Sequence, residues 1–170
     1  MRNIRIRAHG FTLIELVVVV TILGVISITA MSVYQSFRKD AKITALLGAK
    51  DALATVNTEV YTKAVLQGVE DEVALTKFNI DLNNDGVRDV MGYYGLIKYV
   101  SAANELAGLD PKFHIAMWSN KPSATTPYFF IGYKVDGSTH LSKNIKCYVQ
   151  VYYPEDSSGA VNYKLVSEDC

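Results

Sequence analysis

The stretch His9-Gly10-Phe11-Thr12-Leu13-Ile14-Glu15-Leu16 decides how this chain is built. A short basic leader carrying Arg2, Arg5 and Arg7 ends at Gly10, and an apolar run begins at once. One carboxylate, Glu15, lies inside the run, and the next charge is Arg38, so 22 consecutive residues carry none. About 20 apolar residues span a bilayer, so this segment is long enough to cross one. A carboxylate in such a segment is costly unless it is paired, so Glu15 calls for a partner.

Two plainer readings fail on particulars. A secretory signal peptide places its cleavage site after an apolar stretch of about 7–15 residues; here the stretch is longer and the glycine precedes it. A simple signal anchor accounts for the length, and for the leader arginines by the positive-inside rule. It leaves Glu15 unexplained.

The junction resembles the processing site of type IV pilins and pseudopilins: a glycine, then Phe11, then Thr12-Leu13-Ile14-Glu15, then an aliphatic helix. The resemblance implies that a prepilin peptidase cuts between Gly10 and Phe11 and that Phe11 becomes N-methylphenylalanine. It also makes Glu15 the assembly carboxylate, paired with the α-amino group of Phe11 in a neighbouring subunit. Gly24 matches a usual glycine of the family helix, whereas Ser32 stands where a proline is usual. Without that proline no backbone hydrogen bond is obligatorily lost, so a continuous helix is expected through residues 24–32.

From Phe11 to about Gln67 there is no proline, and Gly68 is a plausible stop. At 1.5 Å per residue this helix would be about 85 Å long. Residues 11–34 are apolar all round, the transmembrane or filament-core half. Residues 35–68 form an amphipathic half, in which Leu46, Ala49, Leu53, Val56, Val60 and Ala64 recur at spacings of three and four. That stripe is expected to attach the helix to an exported head, residues 69–170.

In the head, Phe129–Val135, Cys147–Tyr153 and Asn162–Val166 read as strands, and Phe113–Trp118 as a further one. Asp136-Gly137-Ser138 reads as a turn, and Tyr99–Leu106 as a short helix. Consecutive strands with short connections favour an antiparallel meander, which the helix stripe would cover. The expected fold class is therefore α+β, pilin-like: a long N-terminal helix on a small antiparallel sheet. Cys147 and Cys170 have no Cys or His at ligand spacing, and both lie in the exported part, so they read as a disulfide. The first 68 residues and the late cysteine pair are similar to the pilin of mannose-sensitive haemagglutinin pili. By that likeness, the connection after the helix and the cysteine-bounded region would face outward on a filament.

Charge narrows the function further. The chain has 17 basic and 17 acidic residues; loss of the leader arginines leaves 14 against 17, a net of about −3. No basic stripe exists, which argues against nucleic acid as the main partner. His114 and His140 are the histidines remaining after processing, and neither sits in a nucleophile or metal motif. No phosphate-binding glycine loop is present. The chain thus reads as no enzyme and as needing no cofactor.

The motif with chemistry of its own is Asp81-Leu82-Asn83-Asn84-Asp85-Gly86-Val87-Arg88-Asp89. Asp81, Asn83, Asp85, the Val87 carbonyl and Asp89 follow the first part of an EF-hand calcium loop, but Gly92 stands where a bidentate glutamate belongs. The same residues also make an ordinary Asx turn, so calcium and turn both remain open.

Three functions follow in order. The first is a structural subunit of a type IV pilus, held in the inner membrane by residues 11–34 and then polymerised through them into a surface filament for attachment. Its partners would be copies of itself, prepilin peptidase and the assembly machinery. The second is a pseudopilin of a type II secretion system, and the third a membrane-anchored binding module that never polymerises.

Overall fold

The computed structural model describes residues 11–74, 76–117, 128–134 and 145–170. The leader with Gly10, the Asp136-Gly137-Ser138 turn, Trp118, Val135 and His140 lie outside these. The chain divides into two compact units, Met1–Asp40 and Ala41–Cys170.

The first unit is helical. Helix α1 begins at Leu13 and continues to Gln67, two residues later than the sequence implies, because Thr12 serves as the cap outside it. Every residue of 11–40 is exposed. An 18-residue window has a mean hydropathy of 2.6, with none of it buried. The helix runs unbroken through Gly24–Ser32. There Ser27, Thr29 and Ser32 turn their hydroxyls back to the carbonyls of Leu23, Ile26 and Thr29, which leaves the backbone ladder intact.

In the second unit the α1 residues pack as an amphipathic helix should. Leu46, Ala49, Leu53, Val60 and Ala64 are buried. The stripe differs from expectation at one position: Asn57 is buried, and Val56 only packs at the margin of the core. Gly68, at φ +67°, ends the helix. Its N–H bonds the Val65 carbonyl while that of Val69 bonds the Ala64 carbonyl, a Schellman stop whose Ala64 and Val69 are both buried in the core.

Four strands form the main sheet in the order β3-β4-β5-β6: Phe113–Met117, Tyr128–Tyr133, Tyr148–Tyr152 and Asn162–Val166. All pairs are antiparallel, the meander expected. The register places Ile115, Ile131, Val149 and Leu165 in one row across the sheet. Phe129, Val151 and Tyr163 form a neighbouring row. These same-face rows join Leu46, Leu53 and Val60 in one hydrophobic core, which makes the unit α+β. The disulfide Cys147–Cys170, with Cα atoms 4.9 Å apart, ties the entry of β5 to the chain after β6.

Between α1 and β3 lies a small hairpin that the sequence pattern did not reveal, β1 (Gly92–Tyr93) and β2 (Leu96–Ile97). Its turn residues Tyr94 and Gly95 both have positive φ, +48° and +72°, the requirement of a type I′ turn. Helix α2, Val100–Leu106, follows. From it Asn104 donates to the Ile115 carbonyl at 2.8 Å and accepts from the Ile115 N–H at 2.9 Å, both on the edge strand β3.

Candidate functional site: the helix N-terminus and the head

The start of α1 is held by a reciprocal cap. The N–H and hydroxyl of Thr12 donate to Glu15 Oε2 at 2.9 and 2.8 Å, and the Glu15 N–H reaches Thr12 Oγ1 at 3.4 Å. This is a capping box: the N-cap hydroxyl and the N3 carboxylate each take up a helix-end donor that has no partner within the helix. The Thr-x-x-Glu spacing carried that signal in the sequence, and the reading of Glu15 as an assembly group passed over it. Only Oε2 takes part in these bonds, so the cap leaves the carboxylate a second oxygen. Phe11 lies just outside the helix and is exposed.

The sequence features around this junction are those of a known signal. Residues 5–31 match the family model described as the prokaryotic N-terminal methylation motif. Over this stretch the chain carries a type IV pilin-type signal. It is also 49% identical over 41 residues to a probable minor fimbrial protein of Dichelobacter nodosus. That match covers 24% of this chain and 26% of the relative, so the chain spans about a quarter of the length of the curated relative it matches. No solved structure matches.

The Asp81–Asp89 loop of the head is closed by its own hydrogen bonds. Asp81 accepts from the N–H groups of Asn84 and Gly86 at 2.8 and 2.9 Å. Asn83 accepts from the Asp85 N–H, Asp85 from the Val87 N–H, and Asp89 from the Leu82 N–H. The Asn83 amide donates to Asp85 Oδ2 at 3.0 Å. Positive φ at Asn84 and Gly86 gives the turn its tightness. Among the described residues, no three acidic, histidine or cysteine side chains come together as a metal-holding group.

Sequence reasoning missed the polar centre of the head. Asn57, 2% exposed, accepts at Oδ1 from the Ile97 N–H at 3.2 Å and from the Tyr153 hydroxyl at 3.0 Å. Burial pushes the Tyr153 hydroxyl's pKa up, with the Asn57 bond opposing it, so this hydroxyl stays a donor. Asn57 falls where the helix stripe would place an apolar side chain, and no periodicity rule flags it.

Proposed function

We propose that this chain is a structural subunit of a type IV pilus. The observation that carries the reading is the uncharged, exposed run of residues 16–37 that begins within the methylation motif. Residues 1–10 would be removed between Gly10 and Phe11, and Phe11 methylated at its new amino terminus. Residues 11–34 would then leave lipid for the same apolar burial between copies, with residues 35–68 and 69–170 outside that core. Glu15 would pair with the Phe11 amino group of a neighbouring copy, since an apolar filament core penalises an unpaired carboxylate. The subunit would reside in the inner membrane before assembly and on the cell surface after it.

The fimbrial name of the relative favours a pilus over a secretion pseudopilin. A non-polymerising anchor leaves Glu15 its Thr12 cap but no counter-charge. Two measurements test the reading together. Mass spectrometry of the mature N-terminal peptide is expected to begin at Phe11 with one added methyl group. Electron microscopy of sheared cell-surface material is expected to show filaments that vanish when the gene is deleted. An intact Met1 terminus on surface filaments, or unchanged filaments in the deletion, would overturn it.

Calcium in the Asp81–Asp89 loop is also a proposal, and it rests on residue spacing. Asp81, Asn83, Asp85, the Val87 carbonyl and Asp89 would supply the oxygen ligands. Binding would replace the Asn83–Asp85 side-chain bond and would be weak.

A further inference from the structure

The aromatic residues of the first unit stand at the two ends of its apolar run. Phe11 precedes the helix, residues 12–33 contain none, and Tyr34 and Phe37 follow. Both of these are exposed, at 57% and 68%. Arg38 and Lys39 come next and are exposed as well. Arg38 Cζ lies 5.7 Å from the centroid of the Tyr34 ring, a contact that the four-residue spacing allows on a helix. Among the described residues neither Arg38 nor Lys39 forms an ion pair. Asp40 follows at once, but residues one or two apart do not face each other on a helix.

Because α1 is unbroken from Leu13 to Gln67, its rise measures depth. Residues 16–37 cover about 33 Å at 1.5 Å per residue, and the hydrocarbon core of a bilayer is about 30 Å thick. With Leu16 at one boundary, Tyr34 and Phe37 reach the opposite interface, where aromatic rings collect. Arg38 and Lys39 then stand at the level of the lipid phosphates. The leader arginines hold their own end in the cytoplasm, so this pair belongs to the far leaflet. The positive-inside rule disfavours cations there, which leaves two adjacent ones in need of a counter-charge.

We propose that Tyr34, Arg38 and Lys39 form a site for the phosphodiester of an anionic phospholipid headgroup. The guanidinium, backed by the Tyr34 ring, presents paired N–H donors to two phosphate oxygens, and Lys39 adds a point charge. Phe37 anchors the same turn in the interface. The site fixes the depth of the helix, and withdrawal of the chain from the bilayer requires its release. The inference rests on the membrane residence proposed above, but not on cleavage at Gly10–Phe11 or on polymerisation.

The test is nuclear magnetic resonance of the ¹⁵N-labelled full chain in dodecyl maltoside micelles, titrated with dihexanoylphosphatidylglycerol. Dihexanoylphosphatidylcholine and inorganic phosphate are the comparison titrants. The arginine side-chain Nε–H signals give the readout, with Arg88, an exposed arginine of the head, as internal reference. Phosphatidylglycerol is expected to shift Arg38 and the amides of residues 34–39 saturably, at a concentration about fivefold below phosphatidylcholine. Lys39→Gln is expected to raise the half-saturating concentration about fivefold, the scale of one basic residue at an anionic surface. Tyr34→Leu is expected to raise it about threefold, the scale of an exposed cation–π contact. No shift at Arg38, an equal shift at Arg88, equal affinity for the two lipids, or unchanged affinity in both variants would overturn the proposal. Saturation of Arg38 by inorganic phosphate at the same concentration would overturn it in favour of a free-anion site. Filament loss or an uncleaved leader bears on the pilus reading alone, and this titration bears on the headgroup site alone.

Discussion

The Thr12 hydroxyl and the Glu15 carboxylate lie 2.8 Å apart and close the first turn of α1 between them. Glu15 therefore has a role within one chain as well as the one proposed between chains, and the two roles require different chemistry. Capping needs an oxygen acceptor, whereas pairing with an amino group needs the charge. Glu15→Gln is expected to retain helix content, measured by circular dichroism of the purified chain, while abolishing incorporation into filaments. Glu15→Leu is expected to lose filaments and to fray the first turn. Normal filament yield from Glu15→Gln would leave capping as the sole role of this residue.

The second relationship is internal to the head. Asn57→Leu strands the Ile97 N–H and the Tyr153 hydroxyl in the core, at an expected cost of about 2–4 kcal/mol. Tyr153→Phe removes one donor and leaves Asn57 Oδ1 bonded to Ile97, so its expected cost is about 1 kcal/mol. Urea unfolding of the full chain in detergent, followed by near-ultraviolet circular dichroism, measures both. Equal costs would show that the Ile97 bond contributes nothing.

Reduction of Cys147–Cys170 opens a loop whose ends are 23 residues apart. On the loop-entropy model its closure stabilises by about 3 kcal/mol. A domain of this size is then expected to melt about 10 °C lower in reductant. A melting temperature insensitive to dithiothreitol would show that the Asp169–Lys146 backbone bond and the Lys42 bond to the Cys170 carbonyl hold the C-terminal segment without help.

Calcium at about 1 mM, a concentration suited to weak extracellular sites, is expected to raise the melting temperature of the full chain. Asp85→Asn is expected to remove most of the rise. The same melting temperature in calcium and in chelator would leave the Asx turn as the whole account of Asp81–Asp89.

The parts legible in the sequence share one property: a long pattern. The uncharged run after Glu15, the spacing of Leu46, Ala49, Leu53, Val60 and Ala64, and the alternation in β5 each repeat a period over several residues, so a local rule could find them. Asn57 was illegible because a single polar residue on an apolar stripe looks like an interruption. Its meaning comes from Ile97 and Tyr153, 40 and 96 positions away. The β1–β2 hairpin was missed because two-residue strands have no measurable alternation, and Tyr94 is not a residue type that announces a left-handed turn. Thr12 and Glu15 were legible as a cap, but a second reading of the same residues took precedence.

Asn104 has a consequence for what the β3 edge of the head can pair with. An edge strand normally exposes a row of backbone groups that another chain can extend, the route to uncontrolled aggregation. On β3 the Asn104 amide occupies both groups of Ile115, acting as a one-residue surrogate strand. A strand from another chain cannot pair with Ile115 there without displacing the Asn104 amide.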